Sequence, residues 1–391
     1  MVESKPDLPD SGLTLGVMGR SRKENERRLA LHPKHLAKLP PQVSGRIYLE
    51  EGYGDSFGIA DAELSAWVAG VRSHAELVAH CDVILQPKPV LADLLELRPG
   101  QVFWGWPHCV QDDELTQVAI DRRLTVVAFE AMNHWNFDGS FSLHVFHKNN
   151  ELAGYCSVLH ALQLAGVTGH YGPRRRAVVI GFGATARGAV TALTGVGVTD
   201  VDVLTHREIT AVAAPIHSAR MVHFEHGIGL ADVGRALTDD GPEELADFLA
   251  RHDILVNCVL QDPASPMMFL TDADLPRLKP RTVIVDVSCD AGMGFSWARP
   301  TTFEEPTFVV GDEVIHYGVD HSPSHLWASA TWENSAAIVP FLAPMLRGPA
   351  GWAEEPTIER AIEIRDGVVL NPRILSFQGR AATHPHGILA S

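Results

Sequence analysis

Cysteine is sparse in this chain and does not pair. The five cysteines, Cys81, Cys109, Cys156, Cys258 and Cys289, are an odd number scattered through mostly apolar runs, with no C-x-x-C among them. That argues against a disulfide framework and a thiolate zinc site, and for reduced core thiols in a cytoplasm. Twenty histidines include no H-E-x-x-H or similar ligand pair, so no metal centre is expected. Cations are also short: 32 Lys and Arg stand against 48 Asp and Glu, a net charge of −16. Such a balance disfavours a nucleic-acid or anionic-membrane surface as partner. No apolar run approaches membrane-spanning length, and the polar Met1–Gly12 stretch, without a signal core, reads as a loose leader. There is no internal repeat.

What is present is the composition of a soluble α/β protein, 46% hydrophobic over 391 residues, long enough for two domains. Its centre is Val178-Val179-Ile180-Gly181-Phe182-Gly183-Ala184-Thr185-Ala186-Arg187-Gly188. An apolar run stops at one glycine, turns through a second and enters an alanine-rich stretch, which reads as strand, tight turn and helix. Gly181 permits the turn, Gly183 lets the backbone approach a pyrophosphate at the helix N-terminus, and Ala186 takes the helix-packing position. A plain βα turn is the bland alternative. A second strand, Val201 to Leu204, ends at Thr205-His206-Arg207, where NAD-selective chains carry an acid for the ribose 2′-hydroxyl. A cationic tip suits a 2′-phosphate instead, so NADPH is expected over NADH; a solvated turn is the other reading.

Earlier in the chain, strands end in chemistry. Leu13 to Met18 leads into Arg20-Ser21-Arg22-Lys23-Glu24-Asn25-Glu26-Arg27-Arg28, and a helix is expected over Leu29 to Leu39. Asp82 to Gln86 ends at Pro87-Lys88-Pro89, a lysine presented rigidly between prolines. Val102 to Trp106 ends at His108, and Val126 to Phe129 ends at Glu130. Arg28, Lys88, His108 and Glu130 therefore fall on one rim, where open α/β sheets place ligand groups. A lone histidine can equally be a structural residue.

A helix from Asn149 to about Leu164 leads into the glycine turn. Beyond it come strands Met221 to Phe224, Asp253 to Cys258 (leading to Leu260) and Thr282 to Val287, the last followed by Asp290. Pro242 to Leu249 reads as helix. A long helix over His325 to Leu346 should kink or split at Pro340. Thr357 to Phe377 reads as a helix and a short strand, and the tail past Gly379 as loose. The fold class is α/β with two Rossmann-like domains, the dinucleotide-binding one inserted into the substrate domain. Residues 1–148 begin the substrate domain, 149–322 form the dinucleotide-binding domain, and 323–391 are the linking helix and return. The active site is expected in the cleft between them.

These residues carry a family resemblance from about residue 13 to 378. Asn25-Glu26-Arg27-Arg28-Leu29-Ala30-Leu31, Gln86-Pro87-Lys88-Pro89, Glu151-Leu152-Ala153-Gly154, Val285-Asp286-Val287-Ser288-Cys289-Asp290, Arg299-Pro300-Thr301-Thr302-Phe303 and Val319-Asp320-His321-Ser322-Pro323 are its motifs. The chain resembles the alanine dehydrogenase, transhydrogenase and saccharopine dehydrogenase group. Within it, the match to N(5)-(carboxyethyl)ornithine synthases looks closer, through the Cys289 to Phe295, Asp320 to Ser324 and Leu370 to Phe377 stretches. The resemblance implies that Arg28 and Lys88 bind the oxo acid's carboxylate and carbonyl, that His108 is the acid/base, and that Asp290 lies beside nicotinamide and substrate. It also implies a homo-oligomer, and places Gly181, Phe182, Gly183, Ala184, Thr185, Thr205, His206, Arg207, Leu260 and His321 around the cofactor. The chain departs from alanine dehydrogenases at Ala291-Gly292, where they double the glycine, and at His321, where they have asparagine.

The expected activity is NADPH-dependent condensation of a pyruvate-like 2-oxo acid with the side-chain amine of ornithine or lysine. Asp290 would assist water loss or hold the amine, unless it merely caps a helix. Glu130, with Asp320, would favour the larger amine. Two other readings stand: an amino-acid dehydrogenase using ammonia, and a non-catalytic NADPH-binding protein.

Overall fold

The computed structural model describes residues 12–206, 219–225, 234–261 and 266–389. Lys148–Leu326 forms one compact unit, inserted into another made of Met1–His147 and Trp327–Ser391. Among the described residues, no helix is long and apolar enough to cross a membrane.

The outer unit opens with β1 (Leu15–Val17), β2 (Ile47–Glu50), β3 (Gly70–Arg72), β4 (Val83–Leu85), β5 (Val102–Gly105) and β6 (Thr125–Ala128). They pair in parallel in the order β3-β2-β1-β4-β5-β6, which reverses direction between β1 and β4. β1, β4, β5 and β6 are buried throughout, which is why they read as unbroken apolar runs. One face of the sheet packs Val17, Leu49 and Leu85 against Ile338, Phe341, Leu342 and Met345 of the helix Trp327–Leu346. The other packs Ile84, Phe103 and Val126 against Leu77, Leu94, Leu115 and Ile120. β7 (Asn133–Trp135) and β8 (Phe141–His144) form a separate hairpin.

The inserted unit repeats the plan. β9 (Arg176–Ile180), β10 (Asp200–Thr205) and β11 (Arg220–Glu225) are followed by a hairpin of β12 (Arg235–Thr238) and β13 (Gly241–Glu244). Then come β14 (Ile254–Asn257), β15 (Met268–Leu270), β16 (Val283–Asp286), β17 (Gly294–Phe295), β18 (Thr307–Val310) and β19 (Val314–Tyr317). The parallel order β11-β10-β9-β14-β16-β19 is that of a dinucleotide-binding sheet, with its crossover between β9 and β14. The fold is thus α/β with two Rossmann-like sheets. The helix His147–Ala165 packs on the helix Ala184–Gly195 through two glycines. A Cβ at Gly154 would stand 1.9 Å from Thr185 O, and one at Gly188 1.8 Å from Glu151 O. Ala186 is buried, and within the glycine motif Gly188 is a position that admits no side chain.

Local readings fail where proline or long-range pairing decides. Only Pro33–Leu36 of the expected Leu29 to Leu39 helix forms, since Pro40 and Pro41 open the next helical turn. Pro242 lies in β13, an edge strand where its missing N–H costs nothing, and the helix starts only at Leu245. The helix Trp327–Leu346 runs past both Pro340 and Pro344, held by its buried face. The C-terminal segment returns as β20 (Ile362–Arg365), antiparallel to β6, and β21 (Val368–Val369). Its tail is not loose as far as residue 389. Buried Arg380 donates to Gln378 Oε1, Gln117 Oε1 and Asp113 O, and buried His386 accepts from Val369 N.

Candidate active site

In the outer unit, the loops after β1, β4, β5 and β6 bring four expected residues to one edge of the sheet. Glu50, at the end of β2, accepts from the backbone N–H of Gly19 and Arg20 at 2.7 and 3.0 Å, which fixes the start of the basic loop. Ser21 Oγ then donates to Lys88 O at 3.0 Å, tying that loop to the Pro-Lys-Pro turn. Lys88 Nζ stands 2.9 Å from His108 Nε2. His108 adopts a left-handed backbone, φ 50°, rare outside glycine, and its N–H donates to Glu130 Oε1 at 2.7 Å. Burial, reinforced by the charge of Glu363, pushes the Glu130 carboxyl up to about 8.

Arg28 is placed differently from a simple carboxylate binder. Its Nε donates to Glu26 Oε1 at 2.9 Å and its Nη2 to Glu26 Oε2 at 2.5 Å, both side chains being buried. The guanidinium also lies over Trp106, 5.3 Å from the ring centroid. Two donors of Arg28 are therefore spent on Glu26. Glu26, Trp106 and Glu363 adjoin these residues without being singled out by the sequence pattern. Glu26 sits in plain view two residues before Arg28, while nothing local to Glu363 marks it.

In the inserted unit, Gly181 follows β9 at φ 106° and Gly183 caps the helix Ala184–Gly195 without any side-chain hydrogen bond. Nothing lies within 4 Å of a Cβ built on Gly183. Uncapped N–H groups at the start of a helix, approached through open space, fit the pyrophosphate of a dinucleotide. Phe182 stacks under Arg187, 4.6 Å from guanidinium to ring, while Ala184 and Thr185 form the first turn. Thr205 is the buried last residue of β10, whereas His206 is exposed. Arg207 lies outside the described residues. Thr205, deeply buried, is poorly placed for a direct contact with a ribose.

Leu260, beyond β14, is fully open to solvent. Asp290 follows β16 on a turn where Cys289 has φ 47°. Asp290 is half-buried, and burial raises its carboxyl above the usual range. Behind it, Asp286 Oδ1 accepts from Asn257 Nδ2 and Cys289 N, and burial pushes this acid up to about 7. His321 is buried and paired with Asp320.

Comparison with known families decides what these sheets belong to. Residues 17–152 match the alanine dehydrogenase/PNT N-terminal domain, and residues 159–372 match its C-terminal domain. The chain belongs to the alanine dehydrogenase/PNT family. It is 26% identical to an alanine dehydrogenase of Mycobacterium tuberculosis over 385 residues, covering 94% of this chain and 98% of that one. It is 24% identical to an N(5)-(carboxyethyl)ornithine synthase of Clostridium botulinum over 327 residues, covering 80% and 89%. A solved L-alanine dehydrogenase shares the fold, with a TM-score of 0.73 at 18% identity, covering 93% of this chain and 99% of that one. Members of this family are oxidoreductases that use nicotinamide dinucleotides, and the glycine turn after β9 fits that cofactor class.

Proposed function

We propose that this member of the family joins a pyruvate-like 2-oxo acid to the side-chain amine of ornithine or lysine, with NADPH as reductant. The amine adds to the carbonyl, water leaves, and the resulting imine is reduced to an N-(carboxyalkyl) amino acid. When bound, the dinucleotide supplies the hydride; Gly181 to Thr185, His206 and Arg207, with Leu260 and His321, would hold it. Lys88 and Arg28 bind the oxo acid, Lys88 polarising its carbonyl. His108 carries protons as carbonyl becomes carbinolamine and then imine, a task suited to an imidazole near neutrality. Asp290, its affinity for protons raised by burial, assists the loss of water, and Glu130 steadies His108.

The observation that carries this reading is the 2.9 Å approach of Lys88 Nζ to His108 Nε2 at the strand ends, which puts a cation and a base side by side. The larger amine is favoured by Ala291-Gly292 and His321, the two departures from alanine dehydrogenases. NADPH is favoured by the Thr205-His206-Arg207 tip, which lacks an acid. A cytoplasmic homo-oligomer acting on small molecules completes the proposal. The second reading is an alanine-type dehydrogenase using ammonia, favoured by 26% identity across 94% of the chain.

NADPH oxidation with pyruvate, followed by absorbance with ammonia, ornithine or lysine added in turn and NADH as control, separates the two. Turnover with an amino acid and NADPH is expected. Turnover with ammonia alone establishes the second reading, and no turnover with any amine overturns both.

A further inference from the structure

Glu130 stands between His108 and a second acid. Its Oε1 accepts the His108 backbone N–H at 2.7 Å and lies 3.9 Å from ring Nδ1, while its Oε2 is buried with no hydrogen-bond partner. Glu363, only 5% exposed, sits in β20, which pairs with β6 immediately before Glu130. Glu363 Oε1 accepts from Asn371 Nδ2 at 2.8 Å, and its Oε2 is likewise buried without a partner. Two carboxylates on adjoining chain segments, one half-buried and one buried, each with a buried orphaned oxygen, do not both stay ionised; one retains a proton and so relieves the like-charge repulsion.

We infer that Glu130 and Glu363 hold one proton between them, and that Glu363 is a positioning residue acting through Glu130 on His108. The role of His108 rests on the function proposed above; the shared proton does not. The surrounding groups agree in sign. Burial raises both acids, and the charge of Glu363 raises Glu130 further. Lys88 pulls Glu130 the other way. The Cys109 thiol is pushed up by burial and by both acids, and His144, which meets the backbone of Glu130, is held neutral by burial. The pair is therefore a monoanion at neutral pH with its proton held mainly by Glu130, and without Glu363 the charge would fall on Glu130, beside His108.

The test uses the full chain without substrate. Infrared spectra across a pH range of about 6 to about 10 report the carbonyl stretch of a protonated carboxyl. The wild-type protein is expected to show this band, with a Glu130 part beside that of Asp286, and to lose the Glu130 part only above the ordinary carboxylate range. Glu363→Gln keeps an acceptor for Asn371 and removes one acid. It should remove the Glu130 part of the band at neutral pH while leaving that of Asp286, lower the proton affinity of Glu130 at least tenfold, and raise the His108 ring titration read by NMR. A side chain that merely holds Asn371 would move neither. A wild-type spectrum without the band, or a band unchanged in both Glu363→Gln and Glu130→Gln, overturns the inference. If the band behaves as expected while no amine supports NADPH oxidation, the carboxyl pair stands and the functional reading falls.

Discussion

Lys88 Nζ lies 2.9 Å from His108 Nε2, while Glu130 Oε1 lies 3.9 Å from the other ring nitrogen. An ammonium donates and cannot accept, so Nε2 is the acceptor and the imidazole proton sits on Nδ1, toward the carboxyl. The tautomer is thus set by two residues from different strand ends, the form that the proposed acid–base role needs. His108 in a left-handed backbone, rather than a relaxed one, keeps it there.

His108→Ala should therefore lower kcat by roughly 10²- to 10⁴-fold, the span of a lost general acid–base, with little change in KM for NADPH. Lys88→Met should lower kcat/KM for the oxo acid as severely. Steady-state kinetics with each substrate varied in turn checks both, and cofactor binding by fluorescence should be unchanged. Wild-type turnover in either variant would remove the pair from the reaction.

Glu26→Ala addresses the buried fork that holds Arg28. Removing Glu26 takes away the two charge-assisted hydrogen bonds that hold a buried guanidinium, a loss of about 3–5 kcal/mol. The expected result is a lowered unfolding midpoint together with a raised KM for the oxo acid. Denaturant unfolding and kinetics on the same preparation separate the two effects, and Glu26→Gln should be milder in both because it keeps an acceptor.

In the inserted unit, Asp202 is buried against His252 Nε2 at 2.8 Å and Arg220 Nε at 2.7 Å. Burial alone would raise its carboxyl, but these hydrogen bonds prevail and hold it down at about 2. Its folded proton affinity is thus below the unfolded one. The stability it adds is fully present above about pH 4 and is lost as pH falls toward 2. Asp202→Asn should cost about 2 kcal/mol near pH 6, with the two proteins converging at about pH 2. Parallel unfolding curves across that range would refute the linkage.

The placement of the rim residues was legible because parallel strands buried on both faces announce their ends. Lys88 between prolines and His108 after Trp106-Pro107 stand where apolar runs stop. Their partners were not legible in the same way. Glu363 reaches Glu130 only because β20 returns to pair with β6, a contact that no local pattern encodes. The Leu29 to Leu39 segment has helical spacing, yet Pro40 ends it after one turn. Arg380 looks like a solvated tail residue, and its buried bonds to Gln117 and Asp113 depend on tertiary closure.

Two glycines of one motif should respond in opposite ways. At Gly188, φ is helical and alanine would raise local helix propensity, but its Cβ would fall 1.8 Å from Glu151 O, a backbone atom that cannot swing aside. Gly188→Ala must separate the two helices, so a loss of about 1–3 kcal/mol is expected, with the thermal midpoint lower by several degrees. Gly183 instead has φ −94°, which any residue tolerates, and open space where a side chain would go. Gly183→Ala should melt like the wild type yet bind NADPH at least tenfold more weakly, since its methyl takes the space the pyrophosphate needs beside the uncapped helix. Calorimetry and a cofactor titration on both variants read the contrast. Unchanged affinity in Gly183→Ala would show that the dinucleotide does not lie on this helix.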